Sequence, residues 1–201
     1  MDQDRKDRHN KTMKRKKEVI DKMIDQAQEV RGLVVFITGN GKGKSTSAFG
    51  TAFRALGHGQ HVGVVQFIKG TQPTGEVIFL KQTNPQIDYF AMATGFTWNT
   101  QDWDKDKAAA DEAWSHSRRM LEDENLNLVI LDELTYMLKF GYLDIEEVVS
   151  CIKQRPPMQT VIITGRGAKP ELVEIADTVS EIKDVKHAFK AGVKAQAGVD
   201  F

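Results

Sequence analysis

Leu33-Val34-Val35-Phe36-Ile37-Thr38-Gly39-Asn40-Gly41-Lys42-Gly43-Lys44-Ser45-Thr46 is an apolar run that breaks into a glycine-rich loop. The run is rich in β-branched residues and does not alternate, the pattern of a strand buried on both faces. Ser45 to Leu56 then sets Ala48, Phe49, Ala52, Phe53 and Leu56 on one helical face. Strand, glycine loop and helix in that order are the context a P-loop requires. The glycines let backbone N–H groups close on phosphate oxygens, and the helix N-terminus adds fixed positive potential. Lys44 supplies a mobile charge for the outer phosphates, and the Ser45 hydroxyl is placed to ligate Mg²⁺. The candidate nucleotide-binding residues are therefore Gly39, Asn40, Gly41, Lys42, Gly43, Lys44, Ser45 and Thr46. One departure stands out. The usual pattern wants glycine five residues before Gly43, and this chain has Thr38 there, with Gly39 one place later. A polyphosphate here need not run in the usual direction.

Downstream, strand-like and helix-like text alternate. Strands are expected at 61–68, 88–92, 126–131, 160–164 and 178–182, and helices at 106–123, near 145–152 and at 171–176. Buried strands separated by helices predict an α/β fold with a mostly parallel central sheet flanked by helices. Such a site needs an acidic residue at the end of a second buried strand. Leu128-Val129-Ile130-Leu131-Asp132-Glu133 supplies two, and either carboxylate suits the metal directly or through water. Val161-Ile162-Ile163-Thr164 runs into Gly165-Arg166-Gly167, and strand ends converge on the ligand crevice of an open sheet, which makes Arg166 a phosphate or substrate candidate.

The chain of 201 residues is 40% hydrophobic and 28% charged, the composition of a soluble globular protein, and its formal charge is zero. Its length suits one ordinary domain. One cysteine, Cys151, excludes an intramolecular disulfide and fits a cytoplasmic, reducing setting. Apolar runs of about five residues fall far short of the roughly 20 a membrane span needs, and the N-terminus has no secretory signal. Charge is uneven, however. Arg5 to Lys17 holds eight basic residues against one acidic one, Asp7. Residues 1–31 are read as a basic N-terminal extension, and 32–201 as the P-loop domain. Within the extension, Glu18 to Glu29 predicts a helix with a narrow apolar stripe of Val19, Met23, Ala27 and Val30, preceded by a solvated tail. No aromatic residue is interleaved for base stacking, so nucleic acid is not the expected partner.

Taken in order, GNGKGKS at 39–45, VGVVQFIKG at 62–70, MATGFTW at 92–98, LDELTYM at 131–137, TVIITGRG at 160–167 and KHAFKAGVKAQ at 186–196 resemble the ATP:corrinoid adenosyltransferases. The resemblance covers nearly the whole chain and implies a RecA-like parallel sheet, a homodimer, and ATP bound in reverse of the usual P-loop orientation. It implies transfer of the 5′-deoxyadenosyl group of ATP to the cobalt of cobalamin, cobinamide or a cobyrinic acid derivative. A reduced flavoprotein or flavin is the implied electron donor, and Mg²⁺ (or Mn²⁺) the implied ion. In such a reaction cobalt(I) attacks the ATP 5′-carbon and triphosphate leaves, so no side chain need be activated as a nucleophile. Lys42, Lys44, Ser45 and Glu133 or Asp132 would hold the leaving group and its metal, with Glu133 favoured by the LDEL text. Phe96 and Trp98 match the family positions that form an apolar wall under the corrin, excluding the lower ligand and easing cobalt(II) reduction. The basic helix is implied to close over an active site of the other subunit. Two rivals remain at this stage. One is a P-loop ATPase or kinase cleaving a phosphoanhydride bond, and the other a nucleotide-gated binding module.

Overall fold

A computed structural model describes residues 2–68, 73–92 and 102–201, in two units divided between Val30 and Arg31. The N-terminal unit is one helix, α1 (Asp2–Gln26). This corrects the expectation of a solvated tail followed by a helix at 18–29. Asp2 to Gln26 contains neither proline nor glycine, and i,i+4 pairs such as Arg8–Asp4 and Lys17–Asp21 support its basic turns. Because α1 stops at Gln26, Ala27 and Val30 fall outside it. Its apolar residues Val19, Ile20, Met23 and Ile24 are exposed, at 53–64%.

The second unit carries a sheet of six strands, β1 (Val34–Thr38), β2 (Val62–Gln66), β3 (Asp88–Ala91), β4 (Leu128–Asp132), β5 (Thr160–Thr164) and β6 (Thr178–Glu181). Their order is β3-β2-β4-β5-β1-β6, and every neighbouring pair is parallel. The expected α/β parallel architecture is therefore the one found. Helices α2 (Lys44–Gly57) and α3 (Gly75–Thr83) follow β1 and β2, whose connections run toward the β3 edge. Helices α4 (Trp103–Glu122), α5 (Leu134–Lys139), α6 (Ile145–Gln154) and α7 (Pro170–Ile175) belong to connections running the opposite way. Parallel crossovers are right-handed, so opposite directions put the helices on opposite faces.

Two cores result, and the strands alternate between them with period two. Val35, Ile37, Leu128, Ile130 and Ile162 pack with Ala48, Phe49 and Ala52 of α2 and Val77 and Leu80 of α3. Val34, Phe36, Val129, Leu131, Val161 and Ile163 pack with Trp114 and Met120 of α4, Leu134 and Met137 of α5 and Ile152 of α6. The edge strands differ from the centre: β6 is exposed along its length and β3 half-buried. Helix α4 starts three residues earlier than its apolar spacing predicts, because Asp102 caps it by accepting from the Lys105 N–H at 3.1 Å. The short helices α3 and α5 gave too little periodicity to be read from sequence.

Arg31 anchors the start of this unit. Its guanidinium donates to both carboxylate oxygens of Asp177, at 2.9 and 2.6 Å, while the Val34 N–H donates to the same carboxylate at 2.8 Å. The Arg31 hydrogen bond, then that of Val34, holds the Asp177 carboxyl down to about 2 from its ordinary 3.8. A depressed carboxylate stabilises the fold above its unfolded value and loses that contribution as pH falls through its folded one. Wild-type protein should therefore lose stability from about pH 4 down to about pH 2. Asp177→Asn should be less stable at neutral pH and show a flatter acid limb, read by thermal melts across that range.

Candidate functional site

All six strands point the same way, so the loop after β1 and the two acidic residues at the end of β4 lie at the same end of the sheet. Strand β5 lies between β1 and β4, which brings its end, Thr164-Gly165-Arg166, between them. The sequence candidates Gly39–Thr46, Asp132–Glu133 and Arg166 thus lie at the same end of the sheet. Phe96 and Trp98 lie outside the described residues.

The loop glycines answer to different constraints. Gly43 has φ +117°, the left-handed region that favours glycine, and a Cβ there would meet nothing nearer than 3.9 Å. Gly39 and Gly41 are fixed by the backbone beyond β6. A Cβ on Gly39 would stand 2.3 Å from the Ile182 carbonyl oxygen, and one on Gly41 2.7 Å from that of Lys183. The Gly41 N–H donates to Ile182 O at 2.7 Å, and Ile182 N–H donates to Thr38 O at 2.8 Å. So the glycine one place later than usual makes room for the protein's own backbone at Ile182.

Lys44 opens α2 and is only 5% exposed. Its Nζ donates to Gly41 O at 3.0 Å, which folds the side chain back over the loop. Burial lowers its pKa, and the Glu133 carboxylate opposes that shift. Glu133 moves the other way: burial raises its pKa, Asp132 adds to the rise, and Lys44 and Arg166 counter it. Each charge is under-compensated. An incoming polyphosphate would supply the missing counter-charge to Lys44, and a cation would do so for Glu133. Lys42 instead reaches outward to Asp200, 2.9 Å away, and the Thr46 hydroxyl donates to Glu76 of α3 at 3.3 Å. Asn40 is exposed at the loop tip, and Arg166 is exposed beside Glu133 and Lys44 in the electrostatic field.

The two adjacent carboxylates have unlike surroundings. Asp132 is 2% exposed. Its Oδ2 accepts from Gln66 Nε2 at 2.8 Å and its Oδ1 from the Thr164 hydroxyl at 2.6 Å. Gln66 Oε1 in turn accepts from the Tyr89 hydroxyl at 2.7 Å, and burial followed by the Asp132 charge pushes Tyr89 up to about 12. Glu133 Oε2 is buried and accepts no hydrogen bond. Among the described non-glycine residues only Glu133 has positive φ, at 59°. That conformation costs roughly 1–2 kcal/mol for an L-residue, and such strain clusters at ligand clamps.

These residues also bear on which ion they could hold. No group of three or more His, Cys, Asp or Glu among the described residues is arranged to hold a metal alone. Magnesium asks for less, since it keeps several waters and takes one or two carboxylates plus substrate phosphates. An unpartnered carboxylate oxygen on Glu133, with the Ser45 hydroxyl at the start of α2, meets that need.

Sequence reasoning missed Gln66, Tyr89 and Thr164. A signal was present. Gln66, Asp132 and Thr164 are the last residues of three apolar strands that neighbour one another in the sheet, and Gln66 pairs in register with Asp132. Ends of parallel strands that are polar together form a row, but only once the strand order is known.

Comparison with known proteins finds relatives along nearly the whole chain. Residues 30–201 match the family described as ATP:corrinoid adenosyltransferase BtuR/CobO/CobP. The corrinoid adenosyltransferase of Escherichia coli (strain K12) is 55% identical over 97% of this chain and 98% of its own length. That of Salmonella typhimurium is 53% identical over 97% and 98%, and that of Pseudomonas aeruginosa 53% over 96% of each. A phosphate loop and an unpartnered carboxylate oxygen at the same end of a parallel sheet thus occur in a sequence more than half identical to these relatives over nearly its whole length, and the chain belongs to the ATP:corrinoid adenosyltransferase family.

Proposed function

We propose that this protein transfers the 5′-deoxyadenosyl group of ATP to the cobalt of a reduced corrinoid. Cobalt(I) donates an electron pair to the ATP 5′-carbon, forming the cobalt–carbon bond. The 5′-carbon–oxygen bond breaks, its electron pair leaves with triphosphate, and cobalt ends formally as cobalt(III). The cobalt of the corrinoid is the nucleophile, and the protein's task is to hold a leaving group and exclude water. The observation that carries this reading is buried Lys44 at the phosphate loop within the electrostatic field of Glu133, whose Oε2 accepts no hydrogen bond.

Lys44 binds the departing triphosphate, and backbone N–H groups of the loop, with Arg166, orient it. Ser45 and Glu133 hold Mg²⁺ or Mn²⁺, which supplies charge neutralisation to the triphosphate when bound. Asp132 acts in this reading as a supporting group, each of its buried oxygens accepting one hydrogen bond, from Gln66 and from Thr164. Lys42 joins the triphosphate only by leaving Asp200. Phe96 and Trp98 form the apolar wall under the corrin. Residues 1–30 serve as a lid separate from the catalytic domain that starts at Arg31, the enzyme works as a homodimer in the cytoplasm, and a reduced flavoprotein or flavin supplies the electron. No described helix is long and apolar enough to cross a membrane.

The test is a product count. Anaerobic incubation with ATP, Mg²⁺ and chemically reduced cobalamin should yield the cobalt–carbon absorbance and one tripolyphosphate per adenosylcorrinoid. Formation of ADP or orthophosphate, with no alkylcobalt product, would hand the assignment to a phosphoanhydride-cleaving P-loop enzyme.

A further inference from the structure

We propose that Thr164 is a positioning residue that sets Glu133 in the conformation from which its carboxylate takes the metal of the metal–triphosphate. The proposal rests on the reading of Glu133 as the metal contact. Three polar strand ends, Gln66, Asp132 and Thr164, sit side by side on the α2 face of the sheet, where the residues two before them, Val64, Ile130 and Ile162, are core. The hydrogen bonds among them have one polarity. Asp132 accepts both of its bonds, and the single Thr164 hydroxyl proton is committed to its Oδ1 at 2.6 Å. The Thr164 lone pairs are left for a donor, and the Glu133 N–H takes them at 2.9 Å. On the other side Gln66 turns its amide N–H to Asp132, an orientation fixed by the Tyr89 hydroxyl that donates to its carbonyl oxygen. Asp132 is therefore an anchor whose charge orders the donors around it.

The hydroxyl of Thr164 grips the backbone at the one described non-glycine residue with positive φ. Just past it, Gly165, at φ +151°, lets Thr135 of α5 come so near that a Cβ on Gly165 would lie 2.0 Å from Thr135 Oγ1. Thr135 donates in turn to Arg166 O at 2.9 Å, and the Gly165 N–H donates to Ile37 O at 3.2 Å. The end of β5 thus ties the phosphate-loop strand to the turn that carries Glu133. Loss of the Thr164 hydroxyl would free the Glu133 N–H and leave an Asp132 oxygen without a donor, so Glu133 would no longer be held in its left-handed conformation.

The experiment compares Thr164→Val, which keeps shape and loses the hydroxyl, with Thr164→Ser, which keeps the hydroxyl. The direct readout is binding of Mn²⁺ in the presence of ATP, by loss of the free-ion electron paramagnetic resonance signal, beside binding of metal-free ATP. Thr164→Val should weaken Mn²⁺–ATP binding about 10- to 100-fold, as loss of groups that orient a ligand does. Metal-free ATP should bind within about twofold of wild type, Thr164→Ser should restore the metal affinity, and Thr164→Val added to Glu133→Gln should cost nothing further. If Thr164→Val does not fold, Thr164→Ala removes the same hydroxyl without a second methyl against Asp132. Wild-type metal affinity in Thr164→Val beside weakened affinity in Glu133→Gln overturns the positioning role alone. Equal losses with and without metal, or full additivity with Glu133→Gln, overturn it in favour of a structural one. Unchanged metal affinity in Glu133→Gln removes the reading on which it rests.

Discussion

Lys44→Ala is expected to slow adenosylation by about 10²–10³ at saturating ATP, the loss typical when a preorganised charge contact is removed from a transition state. Negative charge builds on the bridging oxygen and spreads over the triphosphate as the 5′-carbon is taken, and Lys44 is the buried cation on the loop. Burial is what makes it effective. Its charge is under-solvated in the free protein, so it gains more from an arriving anion than an exposed lysine would. The same desolvation predicts that the variant is not grossly unstable, since deleting a charge that burial disfavours relieves a penalty. Initial rates of alkylcobalt formation, with a thermal melt alongside, read both effects. A well-folded variant within about threefold of the wild-type rate would take Lys44 out of the mechanism.

Glu133→Gln and Asp132→Asn should fail in different ways, though the residues are neighbours in sequence and both carry a carboxylate. Glu133→Gln keeps shape and removes the charge at the unpartnered oxygen. The Mg²⁺ concentration for half-maximal rate should rise at least about tenfold, with thermal stability held or improved, because a buried charge has been deleted. Asp132→Asn instead puts an amide where two donors converge, those of Gln66 and Thr164. One of them must then face an N–H group, at a cost of about 1–3 kcal/mol. Its main signature should be a lower melting temperature, with activity lost through the displaced Glu133 turn. A Mg²⁺ titration and a melt on each variant separate the two. Should Asp132→Asn carry the larger metal shift while Glu133→Gln leaves it unchanged, the roles are reversed.

The layered architecture was legible because its causes are local. Leu33 to Ile37 and Leu128 to Leu131 do not alternate, which central parallel strands require, and Asn40 to Lys44 is loop text that only a strand-to-helix turn explains. The composition of the basic segment was just as legible, but not its structure. It reads as a tail on charge alone, yet it lacks any residue that breaks a helix, and that absence governs the backbone. The LDEL text favoured Glu133 over Asp132, without a physical ground for the choice.

Sequence by itself determined the parallel α/β class, the phosphate loop and the pair of acids, since strand burial, glycine geometry and charge are properties of short stretches. Tertiary structure alone decided which acid is free. Gln66, Asp132 and Thr164 are separated by 66 and 32 residues, and only the β2-β4-β5 order brings their side chains into one row. That row gives each Asp132 oxygen a donor and leaves Glu133 Oε2 with none. The shifted glycine has the same kind of origin, because Gly39 is demanded by the backbone of Ile182, 143 residues away along the chain and 2.3 Å from where a Cβ would stand. Hydrogen-bond saturation and steric exclusion act between groups close in space, and no spacing along a chain encodes them until the fold has set the distances.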